Sequence, residues 1–205
     1  MTTLVLLRHG ETLLTPHRRL SGSGGTNPGL SPAGRRQAEA TADALADRGD
    51  IDAIVTSPMR RCRETAHSVA TRLGLSVRVD RDLREADFGA WEGLTFTQVR
   101  ERYPDDLSAW LASPESPPSG ADETMQQVAR RVAAVRDGLV AQYAGATVVV
   151  VSHVGPLRTL IRLALQAPPH CLFRMEVSAA SLSTVTYDED GTATVQALND
   201  THHLN

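Results

Sequence analysis

Leu4-Val5-Leu6-Leu7-Arg8-His9-Gly10-Glu11-Thr12 is the stretch on which the reading of the chain turns. An uninterrupted apolar run stops abruptly at Arg-His-Gly, the pattern of a parallel strand that is buried on both faces and ends before a functional loop. A histidine placed there faces the crevice beyond the strand, and the glycine after it permits close backbone approach. The pattern recurs at residues 147–152, the most strand-like run in the chain, which ends at His153 before Gly155-Pro156 opens a helix. Between the two, residues 51–56 read as a third strand, followed by Ser57-Pro58-Met59-Arg60-Arg61.

Working outward, Ser31-Pro32 reads as an N-cap and first-turn proline, with a helix to about residue 48. Ser57-Pro58 repeats that signature, and residues 59–73 continue as helix to Gly74. Residues 77–79 form a short strand, weak helices cover 95–102 and 105–111, and the glycine- and acid-punctuated region around 84–120 reads as a lid-like insertion. Residues 122–143 form a long amphipathic helix carrying Val128, Val132 and Val135, residues 155–165 another helix, and 183–187 with 192–198 a terminal hairpin. Alternating strands and helices predict a single α/β domain over 1–205. Its architecture is a three-layer α/β/α sandwich with a mostly parallel, mixed central sheet and a site beyond the carboxyl ends of the strands.

Composition narrows the function classes. With 205 residues, 41% of them hydrophobic and 22% charged, the chain buries enough surface to need neither disulfide nor metal. Cys62 and Cys171 make no disulfide framework and read as small apolar residues in a reducing compartment. The first residues lack the charged leader and cleavage site of a signal peptide, and no run approaches the roughly 18 apolar residues of a membrane span. The cytoplasm is therefore the expected location, with no membrane partner. A net charge of -3 offers no global attraction for nucleic acid, so an anion site has to be built from arginines gathered locally. Arg60 and Arg61 fit that requirement: in the first turn of a helix they oppose its dipole, which makes sense if one of them serves an anion. The N-terminus of the helix after His153 attracts anions as well.

Taken together, Leu7-Arg-His-Gly-Glu-Thr12, Leu30-Ser-Pro-Ala-Gly34 with Gln37-Ala38, Ser57-Pro-Met-Arg-Arg61 with Thr65-Ala66, Leu83-Arg-Glu-Ala-Asp-Phe-Gly89 with Trp91-Glu-Gly93, and Val151-Ser-His153 resemble the histidine phosphatase superfamily, which includes the cofactor-dependent phosphoglycerate mutases. The resemblance runs nearly end to end. It is nearest to the acid phosphatase domain of actinobacterial two-domain proteins that also carry a ribonuclease H domain, and to alpha-ribazole phosphatases.

The resemblance implies roles. His9 attacks phosphorus and becomes the phosphohistidine. Arg8, Arg61 and His153 surround the transferring group, and cationic Arg8 disfavours protonation of His9. Arg61 is chosen over Arg60 because the family's arginine lies four residues after the serine. Glu85 protonates the leaving oxygen and later takes a proton from water, so activity is expected to rise below neutral pH. Ser21 and Gly22 match a loop that closes over the phosphate. Thr15 stands where the family usually has asparagine, and Val154 where it usually has glycine, which leaves phosphate contact at Thr15 and the pocket wall at Val154 open.

No metal or cofactor is expected: His9, His153, His202 and His203 form no His-x-x-x-His pair, and a phosphate site lined by arginines repels a cation. Residues 188–191 read as a hairpin turn, and Arg130-Arg131 as a solvated helix face. The partner expected is a small phosphorylated metabolite. A covalently linked ribonuclease H domain in a longer protein and a homodimer are compatible with the resemblance. A metal-independent acid phosphatase is the leading reading, with a phosphoglycerate mutase or a non-catalytic phospho-ligand-binding domain as alternatives on the same fold.

Overall fold

The computed structural model describes residues 1–205. Six strands, β1 (Thr2–Arg8), β2 (Ala53–Thr56), β3 (Val77–Val79), β4 (Thr147–Ser152), β5 (Leu182–Tyr187) and β6 (Ala193–Asp200), form one sheet in the order β3-β2-β4-β1-β5-β6. β1 to β4 are parallel, and the hairpin β5-β6 closes one side antiparallel to β1. This is the α/β class with a mostly parallel, mixed sheet that the sequence predicts.

The alternation of side chains along the strands feeds two cores. Leu4 and Leu6 of β1 with Val148 and Val150 of β4 pack beneath α5 (Met125–Gln142) and α6 (Val154–Ala164). Val5, Leu7, Val149 and Val151 point the other way, beneath α1 (Pro32–Arg48) and α2 (Arg60–Leu73). All six positions of β4 are buried, as a central parallel strand requires.

Local chemistry sets the helix ends. Ser31 accepts from the Gly34 amide with Pro32 in the first turn, and Gly49 closes α1 at φ 75°, a conformation that glycine adopts without a Cβ penalty. α5 begins at Met125, later than the expected residue 122, because Thr124 and Gln127 form a reciprocal capping box while the Asp122 amide is held by Asp87. α2 departs from expectation: it starts at Arg60, its N-cap is Met59, and no side chain caps it. The Ser57 hydroxyl instead bonds His153 at 2.8 Å and receives the Met59 amide at 3.3 Å.

Between β3 and α5, α3 (Phe96–Arg102) and α4 (Pro104–Ala112) gather around their own small core of Trp91, Val99, Leu107 and Trp110. A short 3-10 helix, Pro169–Arg174, has no counterpart in the sequence reading; its Phe173 lies 4.8 Å from Trp110 between ring centres.

The parallel register matters most for function. Arg8 pairs with Ser152, so the residues that follow, His9 and His153, leave the sheet side by side.

Leu4 is fully buried while Leu198 is 45% exposed. Leu4→Ala is expected to lower unfolding free energy by about 3 kcal/mol, and Leu198→Ala by less than about 0.5 kcal/mol, both measured by urea denaturation.

Candidate active site

The carboxyl ends of β1, β2 and β4 supply the centre of the site. The rings of His9 and His153 lie 5.2 Å apart at 62°. Arg61, only 1% exposed in the first turn of α2, places its Nε 3.2 Å from both His9 Nε2 and His153 Nδ1. A guanidinium only donates, so both of those ring nitrogens accept. The remaining contacts agree: His9 Nδ1 donates to the Gly10 carbonyl at 2.7 Å, and His153 Nε2 donates to Ser57 Oγ. Each ring is thus held as a neutral, single tautomer, and His9 turns the lone pair of Nε2 toward Arg61.

Electrostatics reinforces this. Burial holds His9 well below the usual imidazole range, and Arg61 and Arg8 push further in the same direction against the Gly10 hydrogen bond. Burial also pushes His153 well down, joined by Arg61, His9, Arg8 and Arg131. These rings stay unprotonated where a free imidazole takes a proton.

Arg61, bonded to His9, Arg8, its chain neighbour, and Ser21, bonded to Arg61, each carry a buried donor without a protein partner: Arg61 Nη1, Arg8 Nε and Ser21 Oγ. Arg61 Nη2 donates to the Ser21 carbonyl at 2.9 Å, which draws the 20s loop against α2, and Arg8 Nη1 is fixed on the Val177 carbonyl at 2.7 Å. Unbonded N–H groups at buried guanidiniums are costly unless an anion takes them.

The more distant expectations divide. Gly22 directs its amide to both oxygens of Glu92, at 2.9 and 3.0 Å; burial of that carboxyl raises its pKa. The Thr15 hydroxyl receives the Thr12 amide at 3.0 Å and bonds the Thr12 hydroxyl, so it braces its own loop. Val154 opens α6, where an amide has no intrahelical acceptor.

Glu85 is 5% exposed and near enough to Arg8 for its charge to favour the guanidinium's charged form. Its Oε2 accepts from the Gly155 amide at 3.2 Å and its Oε1 from the Ala86 amide at 2.9 Å. A Cβ on Gly155 would stand 2.4 Å from Glu85 Oε1, so the carboxylate reaches the first turn of α6 only because residue 155 is glycine.

Several contributors escaped the sequence reading. Ser57 was read as a helix cap and instead orients His153. Glu92 holds the 20s loop, and its place between Trp91 and Gly93 in a recognised motif was the available signal. Cys62 lies with its Sγ 3.3 Å from His153 Nε2, and burial pushes its thiol up to about 12. Arg131 corrects an expectation: Arg130 faces solvent, but the Arg131 side chain is 9% exposed and engages the loop that carries Glu85.

No group of three or more His, Cys, Asp or Glu gathers as metal ligands; the His203 ring is engaged by Thr41 and the Ala180 carbonyl. No helix is long and apolar enough to cross a membrane. A cavity of about 750 Å³ lined by Arg35, Arg60, Arg63 and Glu64 includes none of His9, Arg61, Glu85 or His153.

The family described as the histidine phosphatase superfamily (branch 1) matches residues 4–201. The bifunctional protein Rv2228c of Mycobacterium tuberculosis is 48% identical over 203 residues, which is 99% of this chain but 55% of that protein; the chain spans about half the length of these mycobacterial relatives. Phosphoserine phosphatase 1 of Hydrogenobacter thermophilus is 31% identical, covering 100% of this chain and 95% of its own. A mutant phosphoserine phosphatase of Entamoeba histolytica, solved in complex with phosphoserine, superimposes with a TM-score of 0.89 at 26% identity, covering 100% of both chains.

The depressed imidazoles have a consequence for stability. Below an unfolded-state value of 6.5 the unfolded chain binds protons that folded His9 and His153 refuse, so stability falls as pH falls, by up to about 1.4 kcal/mol per pH unit for each ring. Urea midpoints are expected to drop from pH 7 to pH 5, and His9→Gln with His153→Gln to flatten that slope.

Proposed function

The chain belongs to the histidine phosphatase superfamily (branch 1), and from that premise we propose that it hydrolyses small phosphomonoesters through a phosphohistidine on His9. The observation that carries this reading is the set of buried, unbonded donors on Arg61, Arg8 and Ser21 around a histidine held neutral with Nε2 as the accepting atom. Such a recess suits a tetrahedral dianion and leaves the nucleophile ready.

In the first step the Nε2 lone pair of His9 forms a bond to phosphorus as the bond from phosphorus to the ester oxygen breaks. Protonated Glu85 gives its proton to that leaving oxygen. The phosphorylated ring keeps its Nδ1 proton on the Gly10 carbonyl, which offsets the positive charge that develops there. Arg61 and Arg8 take the equatorial oxygens, with the neutral His153 ring beside them. In the second step water attacks phosphorus, the Glu85 carboxylate takes its proton, the bond to Nε2 breaks, and inorganic phosphate leaves. No step requires a metal, and the acid role of Glu85 favours activity below neutral pH.

Phosphoserine, the compound seated in a structural relative, is the first substrate to test. The likeness to a relative called bifunctional and nearly twice this length supports a covalent link to a second domain, for which ribonuclease H is our reading. Cytoplasmic location and a homodimer belong to the same proposal.

Phosphate release from p-nitrophenyl phosphate is expected to continue at an unchanged rate in EDTA and to fall at least about 1,000-fold in His9→Ala. Acid-labile, base-stable phosphate should appear on the unaltered protein after rapid quench. Release that survives His9→Ala overturns the reading.

A further inference from the structure

Arg131 projects from α5 into the loop that carries Glu85, and every one of its donors is used. Nε donates to Glu123 Oε1 at 2.6 Å and Nη2 to Glu123 Oε2 at 2.8 Å, a bidentate pair. Nη1 donates to the Asp82 carbonyl at 2.5 Å and the Arg84 carbonyl at 2.8 Å, and Nη2 also reaches the Glu85 carbonyl at 3.3 Å. The carbonyl left between them, that of Leu83, is taken by Ser152 Oγ at 2.7 Å. Four successive carbonyls leading into Glu85 are therefore pinned, three by one planar guanidinium and the fourth by the residue before His153. Glu123 also accepts from Arg84 Nη2 at 3.1 Å, which ties the loop to the same carboxylate.

An arginine whose five N–H groups all go to protein acceptors has none for substrate. Its rigid fork, shared between a carboxylate and three backbone oxygens, fixes a backbone geometry that a lysine ammonium would not reproduce. We propose that the Arg131–Glu123 pair is the positioning element for Glu85, holding its carboxyl where the leaving oxygen departs. The inference rests on the role given to Glu85 above.

If Glu85 is held for proton transfer to the leaving group, loosening it should matter in proportion to how much the leaving group needs a proton. The quantity to compare is kcat/KM, which reports events up to cleavage of the ester bond, for two substrates in one preparation. One is the alkyl phosphomonoester that the unaltered protein turns over fastest; the other is 2,4-dinitrophenyl phosphate, whose leaving group departs without a proton. Arg131→Met is expected to lower kcat/KM by about 100-fold for the alkyl ester and by less than about threefold for the dinitrophenyl ester, given the usual worth of general acid catalysis. Arg131→Lys and Glu123→Gln, which leave more of the fold's contacts in place, should show the same selectivity at smaller amplitude. The ratio between substrates does not depend on the fraction of molecules folded, so a merely structural role would leave it unmoved.

Glu85→Gln serves as the reference. If it shows strong leaving-group dependence while the Arg131 and Glu123 variants lose activity equally on both esters, the positioning role is overturned and the role of Glu85 stands. If Glu85→Gln itself loses equally on both, the role given to Glu85 falls, and this inference with it.

Discussion

The guanidinium of Arg61 lies between two neutral imidazoles with almost no access to water, and much else in the molecule follows from keeping it there. A buried cation without a carboxylate partner costs several kcal/mol unless its donors find acceptors. Here Nε leans on His9 and His153, Nη2 on the Ser21 carbonyl, and Nη1 has no protein acceptor at all. Protonating either ring would add like charge at hydrogen-bond distance, so the arginine that keeps one donor unbonded also keeps both rings free of a proton. The unbonded donor and the two unprotonated rings are therefore consequences of a single placement.

That placement depends on the sheet. β4 is the last parallel strand to form in sequence, yet it lies between β1 and β2, and its register against β1 decides whether His153 faces His9. A slip of one residue would turn each side chain to the other face. The all-valine run Val148–Val151, fully buried on both faces, makes such a slip expensive. The unbonded donors of the pocket, at about 1–3 kcal/mol each, are tolerated because these two cores supply stability that the site itself lacks.

Much of this was legible in the chain. The strands before His9 and His153 announced themselves by apolar runs that stop at a polar residue, and α1 by its Ser-Pro cap. Local sequence could not show which of two chemically equal uses a side chain would take. Ser57-Pro58 has the form of a helix cap, but the hydroxyl is claimed by an imidazole that arrives from a strand far along the chain. Arg130 and Arg131 are indistinguishable as letters, and only the facing of the helix sends one to solvent and the other to Glu123. Gly22 belongs to a loop expected over phosphate, and its amide goes instead to the carboxylate of Glu92, from the Trp91–Gly93 motif. For Ser57 and Gly22 the deciding partner is distant in sequence, so no cap rule or loop motif reports it.

The placement of Glu85 shows how the two faces of the sheet meet at the site. Arg61 comes from α2, on one face; Glu85 is fixed from the other, its backbone by Arg131 of α5 and its carboxylate by the Gly155 amide of α6. His153 is the N-cap of that same α6, so the helix end that receives the carboxylate is rigidly tied to the ring that bonds Arg61. The Glu85 carboxylate and the His153 ring therefore both meet the first turn of α6. The relation that remains to be set, between this pair and His9, is set by the β1-β4 ladder. The distance from His9 to Glu85 is thus set by the β1-β4 ladder together with the side-chain bonds of Arg131 and of Glu85 itself, and Gly155 is a position where a side chain would have displaced the carboxylate.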